Sequence, residues 1–91
     1  MLNPQEREKL TPVVVRFDDS WQLAYEIEAV DERRHTVFLP GAPDAWSGSV
    51  CVVDAERITR LDTSVKSVGN AMGKLGKGTS NIVGEIDEHA Q

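Results

Sequence analysis

From Thr11 to Leu61 the chain is written in period two. "TPVVVRFDD" sets Val13, Val15 and Phe17 against Val14 and Arg16. "WQLAYEIEAV" sets Trp21, Leu23, Tyr25, Ile27 and Ala29 against Gln22, Ala24, Glu26 and Glu28. Such alternation marks a half-buried antiparallel strand and puts Trp21 on the inward side. The polar runs "DDS" (Asp18 to Ser20) and "DERR" (Asp31 to Arg34) read as turns. "HTVFLP" is again extended, with Val37 and Leu39 inward and Thr36 and Phe38 on the other face. "SVCVV" follows from Ser49, and after the polar "DAER" comes a short "ITRL". Short runs with short connections predict an antiparallel meander of four or five strands across residues 11–61.

At Asp62 the period lengthens. Val65, Val68, Met72 and Leu75 fall at steps of three, four and three, one stripe of a helix over 63–76. Asp62, Thr63 and Ser64 are all suitable N-caps, and Gly76 or Gly78 supplies the stop. Gly69 and Gly73 each cost about 1 kcal/mol against alanine, so the helix depends on docking. Their spacing lets the helix lie flat on a sheet or meet a second helix closely. Residues 1–10 form a polar N-terminal segment, read either as a short helix with Pro4 at its first position or as a frayed end. Residues 79–91 read as a flexible acidic tail. The fold class is therefore α+β: a small, strongly curled antiparallel meander with one C-terminal helix packed on it, one domain over 11–78.

Composition narrows the function. Ninety-one residues make a single domain with a modest core. A net charge of −5 argues against nucleic acid as a partner, which needs a basic face. Between Thr63 and Gly84 the only charges are Lys66, Lys74 and Lys77, either a solvated face or a weak contact for an anionic membrane surface. The one cysteine, Cys51, cannot close an internal disulfide, which favours a reducing compartment such as the cytoplasm. The apolar runs fall far short of the roughly 20 residues that span a bilayer.

Candidate chemistry is sparse. "GKLGKGTS" departs from a phosphate loop, because Gly78 stands where Ser or Thr must follow the lysine and Ala71 stands where the first glycine belongs. Ser47 or Ser49 with His35 and Asp44 would make a hydrolytic set, but neither serine sits in a Gly-x-Ser-x-Gly elbow. One cysteine and two histidines lack zinc-site spacing. No enzyme activity, cofactor or metal is expected.

The most unusual stretch is "LPGAPDAWSGSV", Leu39 to Val50. Pro40 and Pro43 fix extended geometry, Gly41 and Gly48 are expected to relieve backbone angles, and Asp44 suits an Asx turn. Trp46 either folds back to cap the sheet or stands out as a binding anchor.

This loop, with "ITRLDTSV" after it, resembles the family called domain of unknown function 502, whose plant members are the continuous-vascular-ring-like membrane proteins. Pro40, Pro43, Ser47 and Gly48 fall on the family's hydrophobic-Pro-x-x-Pro-Asn-x-x-Ser-Gly loop, with Asp44 in place of Asn. Leu61, Asp62, Ser64 and Val65 fall on its Leu-Asp-x-Ser-Val motif. The likeness spans residues 11–78. Ala45 stands where many members have a second proline and Trp46 where they have threonine. Members carry two transmembrane helices before this domain, and this chain contains no such segment. The resemblance implies membrane association through a preceding region and a non-enzymatic role.

The chain is thus expected to be an interaction module that meets a protein partner or a second copy of itself, with the 40–48 loop and the sheet edge or helix as its contact surfaces. Pro40, Pro43, Asp44, Trp46, Ser47, Gly48, Lys66, Lys74 and Lys77 are its candidate contacts. The rival is a small-ligand or lipid pocket between helix and sheet, lined by Tyr25, Phe38 and Met72.

Overall fold

The computed structural model describes residues 2–89, with side chains described through 84. In chain order the elements are α1 (Pro4–Glu8), β1 (Thr11–Phe17), β2 (Ser20–Ala29), β3 (Arg34–Leu39), β4 (Ser49–Asp54), a 3-10 turn (Ala55–Arg57), β5 (Ile58–Arg60), α2 (Val65–Gly73) and α3 (Thr79–His89). The fold is α+β, with five antiparallel strands in one open sheet of order β4-β3-β2-β1-β5. The first four strands are the expected meander. The fifth crosses to the free side of β1, where Val13, Val14 and Val15 pair with Arg60, Thr59 and Ile58.

That crossing curls the sheet. In a flat sheet the two edges would lie four spacings apart, about 19 Å. Only Ala55, Glu56 and Arg57 separate β4 from β5, and three residues in 3-10 form advance about 6 Å. The sheet must therefore wrap until its edges approach. The turn is fixed by the Ala55 N–H donating to the Arg33 carbonyl at 2.7 Å.

Curling gives the sheet two buried faces. The concave one holds Val13, Val15, Ala24, Val37 and Val53, all from strands. The first four are wholly buried, and each buried valine contributes roughly 1.5–3 kcal/mol. The convex face carries Val14, Leu23 and Tyr25, covered by Leu61, Val65 and Val68. Leu10, Trp46, Met72, Ile82 and Val83 complete that cover.

A β-bulge interrupts β2. Glu26 pairs with Val37 and Glu28 with Thr36, which leaves Ile27 unpaired. Beyond it the faces exchange, so Ala29 sits opposite His35 rather than continuing the row of Leu23 and Tyr25. Trp21, expected on the inward side, is instead 41% exposed. It lies opposite Arg16 near the β1–β2 turn, outside the convex cluster that the helices cover.

The helices differ from expectation in number and length. Asn3 accepts from the Glu6 N–H at 2.8 Å and Glu6 accepts from the Asn3 N–H at 3.2 Å, so α1 forms with a capping box. Ser64 caps α2, accepting from the Ser67 N–H at 3.0 Å. The helix closes with the Gly76 N–H on the Ala71 carbonyl at 2.7 Å and the Leu75 N–H on that of Met72 at 3.0 Å, a Schellman pattern. Leu75 occupies the left-handed position at φ 58° and is 76% exposed, outside the stripe assigned to it from the sequence. The segment read as a flexible tail is helical from Thr79 to His89, because Ile82 and Val83 pack on the convex core. Residues 90–91 of that segment lie outside the described residues. No helix among the described residues is long and apolar enough to cross a membrane.

Candidate interaction surface

The Leu39–Val50 stretch folds back over the convex face. A methyl group on Gly41 would overlap the Ser47 carbonyl oxygen, and one on Gly48 would overlap that of Leu39. The two ends of the loop thus meet backbone to backbone. Neither residue has positive φ, so these glycines serve close approach and not the unusual angles expected of them. The Asx turn forms, with the Asp44 carboxylate accepting from the Trp46 N–H at 3.0 Å. The Asp44 carbonyl accepts from the Ser47 N–H at 3.1 Å.

Trp46 points inward. Its ring stacks on Tyr25 at 5.1 Å and on Phe38 at 6.0 Å between centroids. The Arg7 guanidinium sits 4.6 Å from its ring centroid, so α1 clamps the outer side. Under the ring, Tyr25 is wholly buried and donates from its hydroxyl to the Val65 carbonyl at 3.3 Å. Desolvation pushes the Tyr25 hydroxyl up to about 12. The pocket expected between Tyr25, Phe38 and Met72 is occupied by this indole. Gly69 completes the seal: a methyl there would stand 4.0 Å from Ala45 and from the Tyr25 hydroxyl, ordinary contact. The Gly69-x-x-x-Gly73 face of α2 is therefore turned to the loop, with Pro43 against Gly73.

The other predicted contacts scatter. Pro40 is buried at the exit of β3, while Pro43, Asp44, Ser47 and Gly48 are exposed. Lys66 lines a shallow groove with Arg7, Pro43 and Trp46. Lys74 caps the end of α2. Lys77 lines a different groove, of about 690 Å³, between β5 and the helix pair. Arg16 and Arg60 line it with Lys77, beside the Asp62 carboxylate and the apolar Leu61, Ala71 and Ile82. Lys66 and Lys77 thus line separate grooves.

His35 stands apart from the serines considered with it, since it pairs with Val53 while Ser49 pairs with Leu39 at the other end of β3. It belongs to a cluster at the mouth of the concave face. Glu26 there is held by Arg60 at 3.0 Å and lies 2.7 Å from His35 Nδ1. The buried Nδ1 has no hydrogen-bond partner among the described residues.

A sheet edge is expected among the contact surfaces but not located from the sequence, and the structure offers the outer edge of β4. Among the described residues no strand pairs with it. Arg33 and Ala55 form a hydrogen-bonded pair in the register that sets Arg34 opposite Asp54. Since such pairs alternate, Ser49, Cys51 and Val53 bond inward to β3. Val50 and Val52 turn their N–H and C=O groups outward, and their side chains are 68% and 52% exposed. The run "SVCVV" carried the signal in having apolar residues at both parities, but alternation cannot say which parity is covered.

No family model, no curated protein and no solved structure matches the chain.

Proposed function

We propose that the chain is a small non-enzymatic interaction module that receives an extended backbone along β4. One observation carries this reading: β4 is an edge of six residues, uncharged before Asp54, with exposed valines at the positions whose backbone groups point outward. Edge strands are ordinarily protected by lysine, proline, a bulge or brevity. β5 follows that rule, being three residues long with Arg57 and Arg60 at its ends. β4 has none of these devices, and strand addition is a standard mode of peptide recognition. The likeness of Pro40 to Gly48 and Leu61 to Val65 to domain of unknown function 502 supports placing such a module beside a membrane. The loop's own role is to hold Trp46 over the core.

Selection of extended peptides against the chain, followed by amide exchange on the complex, tests this. Slowed exchange at the Val50 and Val52 amides supports it, and peptides that protect only other surfaces overturn it.

The groove carrying Arg16 and Lys77 favours a second reading, a small anionic ligand or lipid headgroup beside apolar side chains. A thermal-shift screen of metabolites and short-chain phospholipids separates the two. Stabilisation lost in Lys77→Ala and kept in Val52→Lys supports the groove.

A further inference from the structure

We infer that the occupant of the β4 edge is the β4 edge of a second copy, joined antiparallel about a twofold axis through Cys51. This rests on the strand-addition reading and makes it specific.

An antiparallel pairing of a strand with itself must be centred on one residue if side chains are to keep their faces. Two centres fit the exposed run. Centred on Cys51, Val50 meets the partner's Val52 and Val52 meets the partner's Val50. Both residues turn their backbone groups outward, so these become hydrogen-bonded pairs and Cys51 meets its own copy in a non-bonded pair. Asp54 then lies opposite Gly48, where no charge or side chain opposes it. Centred on Val52, Asp54 would instead lie opposite Val50, setting a carboxylate against a valine. The first register is the self-complementary one.

Charge selects the same partner surface. The chain carries −5, so two copies repel over most of their surfaces. β4 is the edge where they meet with no like charges directly opposed. Each valine pair contributes roughly 0.2–1 kcal/mol, and a two-strand seam is smaller than the roughly 800 Å² per partner of a standard interface. The dimer is therefore weak and concentration-dependent. It would join two five-stranded sheets into one, extending the row of Tyr25, Phe38 and Val50 into the second copy.

The register makes a sharp test, because non-bonded antiparallel pairs hold their Cα atoms about 4.5 Å apart, within disulfide reach. Sedimentation equilibrium is run on the full chain from micromolar to millimolar concentration, with amide exchange alongside. Oxidation by diamide, which takes up the two electrons of the thiol pair, follows on the same samples. Expected are a reversible dimer, slowed exchange at Val50 and Val52, and a Cys51–Cys51 cross-link. Val52→Lys is expected to weaken association about tenfold and to slow cross-linking, with unchanged melting at low concentration. Val50→Lys is a second, independently folding check on the same edge. A monomer at every concentration overturns the inference, as does a dimer untouched by both lysine variants. A dimer that protects Val50 and Val52 without cross-linking overturns the Cys51-centred register. If the chain stays monomeric while selected extended peptides still protect Val50 and Val52, only the second-copy occupant falls. If neither peptide nor copy engages β4, the strand-addition reading falls with it.

Discussion

The two faces of the sheet are built from the same strands and differ in almost everything else. The concave core is made of small β-branched and alanine side chains supplied by strands alone, Val13, Val15, Ala24, Val37 and Val53. Its seal is the curl of the backbone. The convex core is aromatic, centred on Tyr25, Phe38 and Trp46, and sealed by pieces far apart in sequence: α1, the 39–50 loop, α2 and α3. A face closed by its own hydrogen-bonded ladder opens only when the whole sheet does. A face closed by docked segments can open piece by piece, so the two faces should separate in native-state exchange.

The strongest way to break this comparison is Trp46→Ala. It removes a ring stacked on two others and is expected to cost about 3 kcal/mol, measured by urea unfolding. Exchange should quicken first in α1 and α2 while β1–β3 stay protected, and uniform quickening would merge the two faces into one cooperative unit. Gly48→Ala attacks the same cover at its neck and should cost up to about 3 kcal/mol, because the opposing atom is a backbone carbonyl that cannot swing away. Leu75→Gly acts in the opposite direction. Relieving a left-handed leucine at the end of α2 should stabilise by about 1 kcal/mol, seen as a higher urea midpoint.

Tyr25 reports on the convex seal without mutation, since it is the chain's one tyrosine. Its hydroxyl is pushed up to about 12 by burial, against 10.0 for the free group. The folded state therefore holds the proton longer than the unfolded state. The stability this contributes is complete below pH 10 and declines as pH rises toward 12. Ultraviolet titration of the phenolate checks it: ionisation near pH 10 in the folded chain would mean that water reaches the ring under Trp46. The smallest effect belongs to Trp21→Ala. It should change the urea midpoint by no more than about 0.5 kcal/mol, since the ring is 41% exposed and outside both cores.

Much of the strand pattern was legible because alternation reports burial directly. The runs at Thr11, Ser20, Arg34 and Ser49 appear within a residue or two of their predicted positions, and the Asx turn at Asp44 forms as its chemistry suggests. What failed did so for identifiable reasons. Two-residue periodicity passes straight through "YEIEAV", yet the bulge at Ile27 reverses the faces, because a bulge depends on the partner strand. Trp21 looks like core by parity, but parity does not show where the helical cover ends. Leu75 completes a stripe on paper but lies beyond the last turn of α2. α3 was hidden because its apolar pair, Ile82 and Val83, precedes a run of acids and forms no long stripe. Among the candidate contacts, proximity in the chain did not mean a shared surface: Lys66 and Lys77 line separate grooves.

The sequence by itself determined that this chain forms a small antiparallel sheet followed by a helix, since period-two and period-3.6 burial are local properties that each segment carries alone. Only the tertiary structure decided how far the sheet curls, where β5 joins, which way Trp46 points and which strand edge stays open. Each of those depends on two segments meeting across the chain. The three residues between β4 and β5 set the curl only because β5 pairs with β1. Trp46 turns inward because Tyr25, Phe38 and Arg7 surround the place it fills, and β4 keeps a free edge because no described strand pairs with its outer side.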